Sequence, residues 1–241
     1  MCVKSSKGFH PGLQNKIKMR YNPVMKIKIS SLTSKNIKAG QFKKDLPEVY
    51  ALKKVVEDNG WHEKQDVFVH TMAVLKQLEL LLDLKIFTPE NKKLLQKQLK
   101  KRVGNHTRKE LLVVSTLLHD IAKPITAIRD KTGVVRCPGH EFIGSTMIKK
   151  FSSRFGLNKK DEEFVKKIVF FHGYIVDIIN QVMDKGKKEF YLNIYKEIFG
   201  DIYYELLLLF YSDLLGSDLK KLNPEEYKIR QNLVLDFLQN S

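Results

Sequence analysis

An adjacent histidine and aspartate, His119 and Asp120, lie at the end of a strongly apolar stretch of this chain. Apolar residues flank the pair on both sides over residues 117–122, so we expect both side chains to point into the fold. A buried carboxylate must be paired with a cation or bind a metal, because an isolated charge in an apolar interior is too costly. The pair therefore predicts a polar site inside a packed core.

The apolar residues that surround this pair along the chain follow a helical period. From Asp45 onward they recur at spacings of three and four, first over residues 46–56 and again over residues 67–78. His70 belongs to the second of these stripes, so we expect it on the buried face of its helix. These stripes predict an all-α fold.

Local signals mark where several of these helices begin. Proline at the first helical position predicts helix starts at Pro89 and Pro224, and Thr107 with Glu110 predicts a capping box ahead of the pair. Pro124 is expected to stop that helix just past Asp120. The turn signal at residues 130–133 is the clearest interruption, and a minimal strand at Val134 and Val135 is conceivable beside it. The expected architecture is a bundle of about eight helices.

The positive charge of the chain is concentrated at its N-terminal end. Residues 1–44 hold 11 of the 43 Lys and Arg side chains and no Asp or Glu, whereas the net charge of the whole chain is +16. We therefore divide the chain into a basic, largely non-helical arm at 1–44 and a helical domain at 45–241, with one short strand conceivable near residues 25–29. Two interpretations of the arm stay open: an RNA-binding segment and a solvated tail.

Composition narrows the class of protein further. The hydrophobic content of 43% is typical of a globular domain, and no apolar run is long enough to span a bilayer. The two cysteines, Cys2 and Cys137, are far apart, which disfavours a disulfide scaffold and favours a reduced, cytoplasmic setting without a membrane partner. The sequence leaves the oligomeric state open.

Further histidines and one further aspartate accompany the central pair. His140 follows a Pro-Gly turn, His172 precedes Gly173 at the end of an apolar segment, and Asp213 interrupts a second apolar run. Imidazole nitrogen and carboxylate oxygen suit a divalent transition metal such as Mn, Fe, Co, Ni or Zn. We expect no cysteine near these positions, which argues against a structural zinc site. The candidate ligands are His70, His119, Asp120, His140, His172 and Asp213.

The order of these motifs resembles that of the HD-domain metal-dependent phosphohydrolases. Five stretches match in the right order: Leu46-Pro47-Glu48, residues 66–71, residues 118–124, Gly139-His140-Glu141 with Gly144, and Ser212-Asp213 with Leu215-Gly216. The resemblance covers roughly residues 45–220 and is closest to the HD domain attached to some bacterial CCA-adding tRNA nucleotidyltransferases. A nucleotidyltransferase needs a Gly-Ser followed by an Asp-x-Asp pair, and Gly216-Ser217-Asp218 lacks the second carboxylate, so we do not expect CCA addition.

The resemblance implies a metal site and a reaction. It implies that His70, His119, Asp120 and Asp213 hold one metal, and that His140 and His172 are available for a second, so that two ions are favoured over one. Asp120 would bridge the metals, and a metal-activated water would attack a phosphoester. Lys123 occupies a position that is often basic in the family, where it would contact substrate phosphate; a cation that complements the helix dipole is the alternative interpretation.

Three hypotheses for function follow from these features. The first is a phosphodiesterase or phosphomonoesterase acting on a nucleotide or an RNA-terminal phosphate, with Asp120 and Lys123 as catalytic residues. The second is a non-catalytic RNA-binding module on an HD scaffold, which the basic arm suggests. The third is a signalling phosphodiesterase acting on cyclic or oligophosphate nucleotides.

Overall fold

The computed structural model describes residues 26–239 of the chain, and over this range the structure is mostly helical, as the sequence predicted. The longer helices, of eight residues or more, are α3 (Val67–Leu81), α4 (Pro89–Lys100), α5 (Arg108–Leu118), α7 (His140–Met147), α9 (Lys159–Phe171), α10 (Tyr174–Lys185), α11 (Lys188–Phe199), α12 (Tyr203–Gly216) and α14 (Pro224–Gln239). The short helices are α1 (Ser34–Lys38), α2 (Pro47–Ala51), α6 (Lys123–Thr126), α8 (Ser152–Phe155) and α13 (Leu219–Leu222). In the same range no helix is both long and apolar enough to cross a membrane.

Two minimal antiparallel strand pairs accompany the helices. The strands are β1 (Val56–Glu57) with β2 (Gln65–Asp66), and β3 (Ile128–Arg129) with β4 (Val135–Arg136). The β3–β4 pair confirms the turn expected at 130–133, where the Asp130 carboxylate accepts hydrogen bonds from the backbone N–H groups of Thr132 and Val134. The helix expected over 46–56 is shorter than its stripe suggested. Val56 is in a strand and exposed, because the chain turns there to pair with β2.

Helices α3 and α12 form the central pair of the core. Their close approach depends on Gly216, since a Cβ at that position would lie 2.8 Å from the backbone nitrogen of Val74. Helix α5 packs against α3 and α9, and α7 packs on α9, so the elements that carry the candidate residues meet at one end of the core. The starts predicted at Pro89 and Pro224 are confirmed.

The described part of the basic segment is packed against this core. Ile27, Leu32 and Ile37 are buried in the main hydrophobic cluster, and α1 lies within the segment. The strand considered near residues 25–29 is not observed over 26–29, where Ile29 instead begins a 3-10 turn. Residues 27–42 are therefore not a solvated tail, although every lysine between residues 26 and 44 is exposed. Residues 1–25 lie outside the described range, and the domain boundary at residue 44 stays a prediction.

Candidate metal centre

Helix α3 carries His70 into the core. Its start is fixed by Asp66, whose carboxylate accepts a hydrogen bond from the Val69 backbone N–H at 2.8 Å, a standard N-cap. The cap places His70 one turn into the helix. There its side chain is buried, as its position in the apolar stripe predicted.

Helix α5 delivers the central pair. The predicted capping box is confirmed. The Thr107 hydroxyl accepts a hydrogen bond from the Glu110 backbone N–H, and the Glu110 carboxylate accepts one from the Thr107 backbone N–H. The helix ends at Leu118, so His119 is its C-cap and Asp120 lies in the turn that follows. Both side chains are almost fully buried. Pro124, expected to end α5, instead lies within the first turn of the next helix, α6.

The remaining candidate residues come from three separate helices. His140 is the first residue of α7 and follows Gly139, whose φ of +69° is a left-handed conformation that favours glycine. His172 is the C-cap of α9, and Asp213 lies within α12. Two of these three positions are therefore helix ends, where the chain turns and a side chain can be directed across to another helix.

The structure brings all six candidate ligands together in two adjacent clusters. His70, His119 and Asp213 form the first, and Asp120, His140 and His172 form the second. Within each cluster the possible ligand atoms lie within 4.8 Å of one another. Both clusters could hold metal ions, because each combines imidazole nitrogens with a carboxylate.

Asp120 connects the two clusters through its two oxygens. Its Oδ1 faces the second cluster, 3.2 Å from Nε2 of His140 and 3.8 Å from Nε2 of His172. Its Oδ2 faces the first, 3.3 Å from Nε2 of His119 and 3.9 Å from Nε2 of His70. One carboxylate therefore presents a separate oxygen to each cluster, which is the arrangement that a bridging ligand requires.

Three of the histidines are oriented by the backbone in the same way. Nδ1 of His119, His140 and His172 lies 2.7, 2.8 and 2.7 Å from the carbonyl oxygen three residues earlier. A carbonyl only accepts, so Nδ1 must donate, and Nε2 keeps its lone pair in the neutral ring. Such a bond on the far nitrogen typically orients a metal-binding histidine. His70 departs from the pattern, because its contact is made by Nε2, which lies 2.9 Å from Oδ1 of Asp213, and not by Nδ1 with a backbone carbonyl.

Unpartnered polar atoms show that the site suits a cation. Nε2 of His119 is buried and has no hydrogen-bond partner, and Oδ2 of Asp120 is buried with only ion-pair contacts, the nearest to Lys123 and His119. Leaving buried polar groups unpaired is costly, and native structures rarely do so without a reason. A metal ion that accepts electron pairs from both atoms would remove this cost. The residues present therefore fit a divalent transition metal.

The protonation equilibria reflect the crowding of charge around Asp120. Burial opposes the charged form of Asp120, but His119 and Lys123 outweigh it and hold the pKa of this carboxyl well below its usual range. Burial likewise opposes charge on His119, yet Asp120 raises the pKa of that ring to about 8. At His172, burial and the neighbouring histidines lower the pKa to about 3, so that ring is neutral near pH 7.

Lys123 is held between two carboxylates rather than at the surface. Its Nζ lies 3.0 Å from Oδ2 of Asp120 and 2.8 Å from Oε2 of Glu57. Burial disfavours the ammonium, but these two carboxylates outweigh that effect and raise the pKa of Lys123. This buried ion pair is a different environment from the helix-dipole position that was the alternative interpretation. Lys123 also lines the cavity that opens onto the clusters.

That cavity has a volume of about 950 Å³ and contains residues that sequence reasoning missed. His62, which the metal-type motifs did not include, is buried, with its ring centroid 4.4 Å from that of His70. Glu57 could not be identified from the sequence, because nothing in its local pattern marks it and it reaches Lys123 only through a tertiary contact. Cys137 also lines the cavity, contrary to the expectation that no cysteine is near, although burial raises the pKa of its thiol to about 11.

The chain belongs to the HD domain family: the family model matches residues 67–189, about half of the sequence. The match contains five of the six candidate ligands, and only Asp213 lies beyond it, brought to His70 by the packing of α12 on α3. A comparison with curated proteins finds no match. Family membership and the two His/Asp clusters together are consistent with a metal-dependent phosphohydrolase.

Proposed function

We propose that this protein is a metal-dependent phosphohydrolase that acts on a nucleotide or an RNA-terminal phosphate. The observation that carries the proposal is the position of Asp120, which offers one oxygen to each of two buried His/Asp clusters at the base of a cavity. HD-family membership supports the same reaction class. Two ions fit these clusters better than one, because the second cluster has its own pair of histidines.

Each side chain has a separate role in this proposal. His70, His119, Asp120 and Asp213 would hold one metal, and His140, His172 and the other oxygen of Asp120 would hold a second. When bound, such metals supply Lewis-acid stabilisation and water activation for phosphoester hydrolysis.

Lys123 would place a fixed positive charge at the cavity wall. Glu57 and Asp120 hold its ammonium group in position, so it can pair with a phosphate oxygen without first being ordered. Lys123 and Asp120 are therefore the residues to which we assign catalytic roles.

The substrate class follows from the motifs and the cavity. The resemblance of the motifs to the HD domain of CCA-adding enzymes suggests a 2′,3′-cyclic phosphate or a phosphomonoester at an RNA end, whereas the family match supports the HD domain in general. A free nucleotide, including a cyclic or oligophosphate one, suits the same cavity. We propose nucleotide-type phosphoesters as the class and leave the individual substrate to a screen.

The direct test is hydrolysis of bis-p-nitrophenyl phosphate and of a nucleotide panel by protein loaded with Mn²⁺, Co²⁺ or Ni²⁺. We expect turnover that depends on the metal and falls at least 100-fold in Asp120→Asn. Asp83→Asn is the matched control, because Asp83 is exposed and pairs only with the exposed Lys85. Turnover without metal, or full activity in Asp120→Asn, would exclude the proposal.

A second candidate function is RNA binding by the basic segment at 1–44. In its described part every lysine is exposed, which leaves these charges available to a polyanion: Lys26, Lys28, Lys35, Lys38, Lys43 and Lys44. Replacing these lysines by glutamine should weaken tRNA binding and flatten its dependence on salt concentration. If the variant hydrolyses phosphoesters normally but no longer binds RNA, the segment recruits substrate; if RNA binding is unchanged, this candidate fails.

A further inference from the structure

Aromatic side chains line one wall of the cavity above the second cluster. Phe142, Phe170 and Tyr174 all belong to the cavity lining. Phe142 is 57% exposed and Tyr174 is 48% exposed, although rings of this size are usually covered. In the described part of the chain only one other Phe, Tyr or Trp, Phe190, is as exposed, and it does not line the cavity. Two of three exposed rings therefore face the candidate metal site.

The three rings form one continuous surface. The Phe170 ring lies between the others, 6.3 Å from the centroid of Phe142 at 75° and 6.3 Å from that of Tyr174 at 28°. Phe171, at 4.7 Å from Phe170, and the more deeply packed Phe199 support the cluster from behind. The supporting contacts hold the exposed rings in place, so a planar ligand would meet a preorganised surface.

The location of this surface is fixed by the ligand histidines. Phe142 is two residues after His140, while Phe170 and Tyr174 are two residues before and after His172. Two residues span at most about 7.2 Å of backbone, so the backbone of each aromatic residue is close to that of a candidate ligand of the second cluster. The rings and the second cluster line one cavity, so a substrate whose phosphate lies at that cluster can extend along this wall.

Polar groups in the cavity lining favour a nucleobase over an acyl chain. Asp177, one turn beyond Tyr174 on α10, lines the cavity, as does Arg136 on β4, whose Nε lies 2.9 Å from Oδ2 of Asp130. A carboxylate accepts hydrogen bonds from amino and hydroxyl groups, and a guanidinium donates to carbonyl and phosphate oxygens. A purely apolar ligand offers no hydrogen-bond donor to Asp177, whereas a nucleoside offers amino or hydroxyl donors and a flat ring for stacking.

We propose that Phe142, Phe170 and Tyr174 form a stacking site for the base of a nucleotide substrate. The inference rests on the proposed function for the phosphate end of that substrate and adds the recognition of its base. Stacking on aromatic rings tolerates all bases, because each base has a flat π-face. We therefore expect ligands that contain a base to bind more tightly than ligands without one, with little difference among the bases.

The test is calorimetric binding of adenosine 5′-monophosphate and of ribose 5-phosphate to the metal-loaded full-length protein. The two probes share the sugar and phosphate and differ in the base. We expect the base to tighten binding, and we expect Phe142→Ala and Tyr174→Ala each to reduce this advantage by about 5- to 100-fold. Ribose 5-phosphate should bind all variants equally, and Tyr174→Phe should retain the advantage.

Phe190→Ala is the matched control, because it removes an equally exposed ring outside the cavity. No advantage of the base in the unaltered protein, an unchanged advantage in both variants, or an equal loss for both probes would overturn the inference. Hydrolysis of bis-p-nitrophenyl phosphate tests the phosphate end separately. If that activity is absent while the base advantage is present, the proposed function fails and the stacking site stands.

Discussion

Nζ of Lys123 lies 2.8 Å from Oε2 of Glu57, and both side chains are buried at the edge of the metal cavity. The pair joins α6 to the short strand β1, two elements far apart in the chain. A buried ion pair contributes little net stability when complete, but removal of one partner leaves an uncompensated charge. The free energy of unfolding should therefore fall when either partner is removed.

Lys123→Met should destabilise the metal-free protein by about 3–5 kcal/mol, because it leaves the carboxylates of Glu57 and Asp120 buried without their cation. Urea unfolding in the presence of a chelator measures the loss. Lys166→Met is the control, since Lys166 pairs with two glutamates near the surface and such pairs contribute under about 1 kcal/mol. A similar small effect for both variants would contradict our description of the pair.

Gly216→Ala should destabilise the fold by about 1–3 kcal/mol, as overpacking of a tight helix contact does. The new Cβ would lie 2.8 Å from the backbone nitrogen of Val74, which cannot move without displacing α3. Thermal unfolding should show a lower Tm. At Gly200 a Cβ meets nothing within 4 Å, so Gly200→Ala should leave packing intact; equal losses in the two variants would refute the close approach.

Stability should fall in acid partly through Asp161. Burial opposes its charged form, but bonds from His106 and from the backbone N–H groups of Asn158 and Asn105 outweigh it and lower the pKa of this carboxyl. A lowered folded-state pKa contributes stability above the unfolded value, about pH 4, and that contribution is lost as pH falls through the folded value.

Asp161→Asn should therefore cost about 1–3 kcal/mol at pH 7, and the cost should shrink below about pH 4. Unfolding of the metal-free protein across pH 7 to 2 measures the difference. Asp83→Asn removes a carboxylate that pairs only at the surface, so it should show no such trend. A cost for Asp161→Asn that is the same at every pH would be inconsistent with this account.

His140→Ala and His172→Ala should each remove one metal ion from a protein that otherwise binds two. Both histidines belong to the second cluster, while His70, His119 and Asp213 would keep the first. Elemental analysis after Mn²⁺ loading gives the stoichiometry. His106→Ala is a suitable control, because His106 pairs with Asp161 away from the cavity. Loss of both ions, or of neither, would argue against two separable sites.

Much of the site could be predicted from the sequence because its residues stand out from their local surroundings. His119 and Asp120 interrupt an apolar run, Asp213 interrupts another, and His70 shares a helical stripe with core residues. Local signals also located helix starts such as Thr107, where capping depends on neighbours three residues apart. These features are short-range, so the sequence contains them directly.

The parts that could not be predicted depend on contacts between distant segments. Glu57 and His62 reach the cavity only because β1 and the following loop fold over α3, and neither residue differs in its local pattern from a surface residue. Ile27 and Ile29 alternate with exposed lysines as a strand would, but no strand within residues 26–239 pairs with them. Instead the Ile27 backbone N–H donates to the carbonyl of Arg154 at 2.7 Å.

The central claim is that Asp120 joins two metal sites, and metal content measured by elemental analysis tests it most directly. The unaltered protein, loaded with Mn²⁺ and freed of excess metal, should contain two ions per chain. Asp120→Asn should contain at most one, because it weakens a ligand of both clusters, while Asp83→Asn should retain two. The account would be contradicted if Asp120→Asn retained two ions per chain or if the unaltered protein bound no metal.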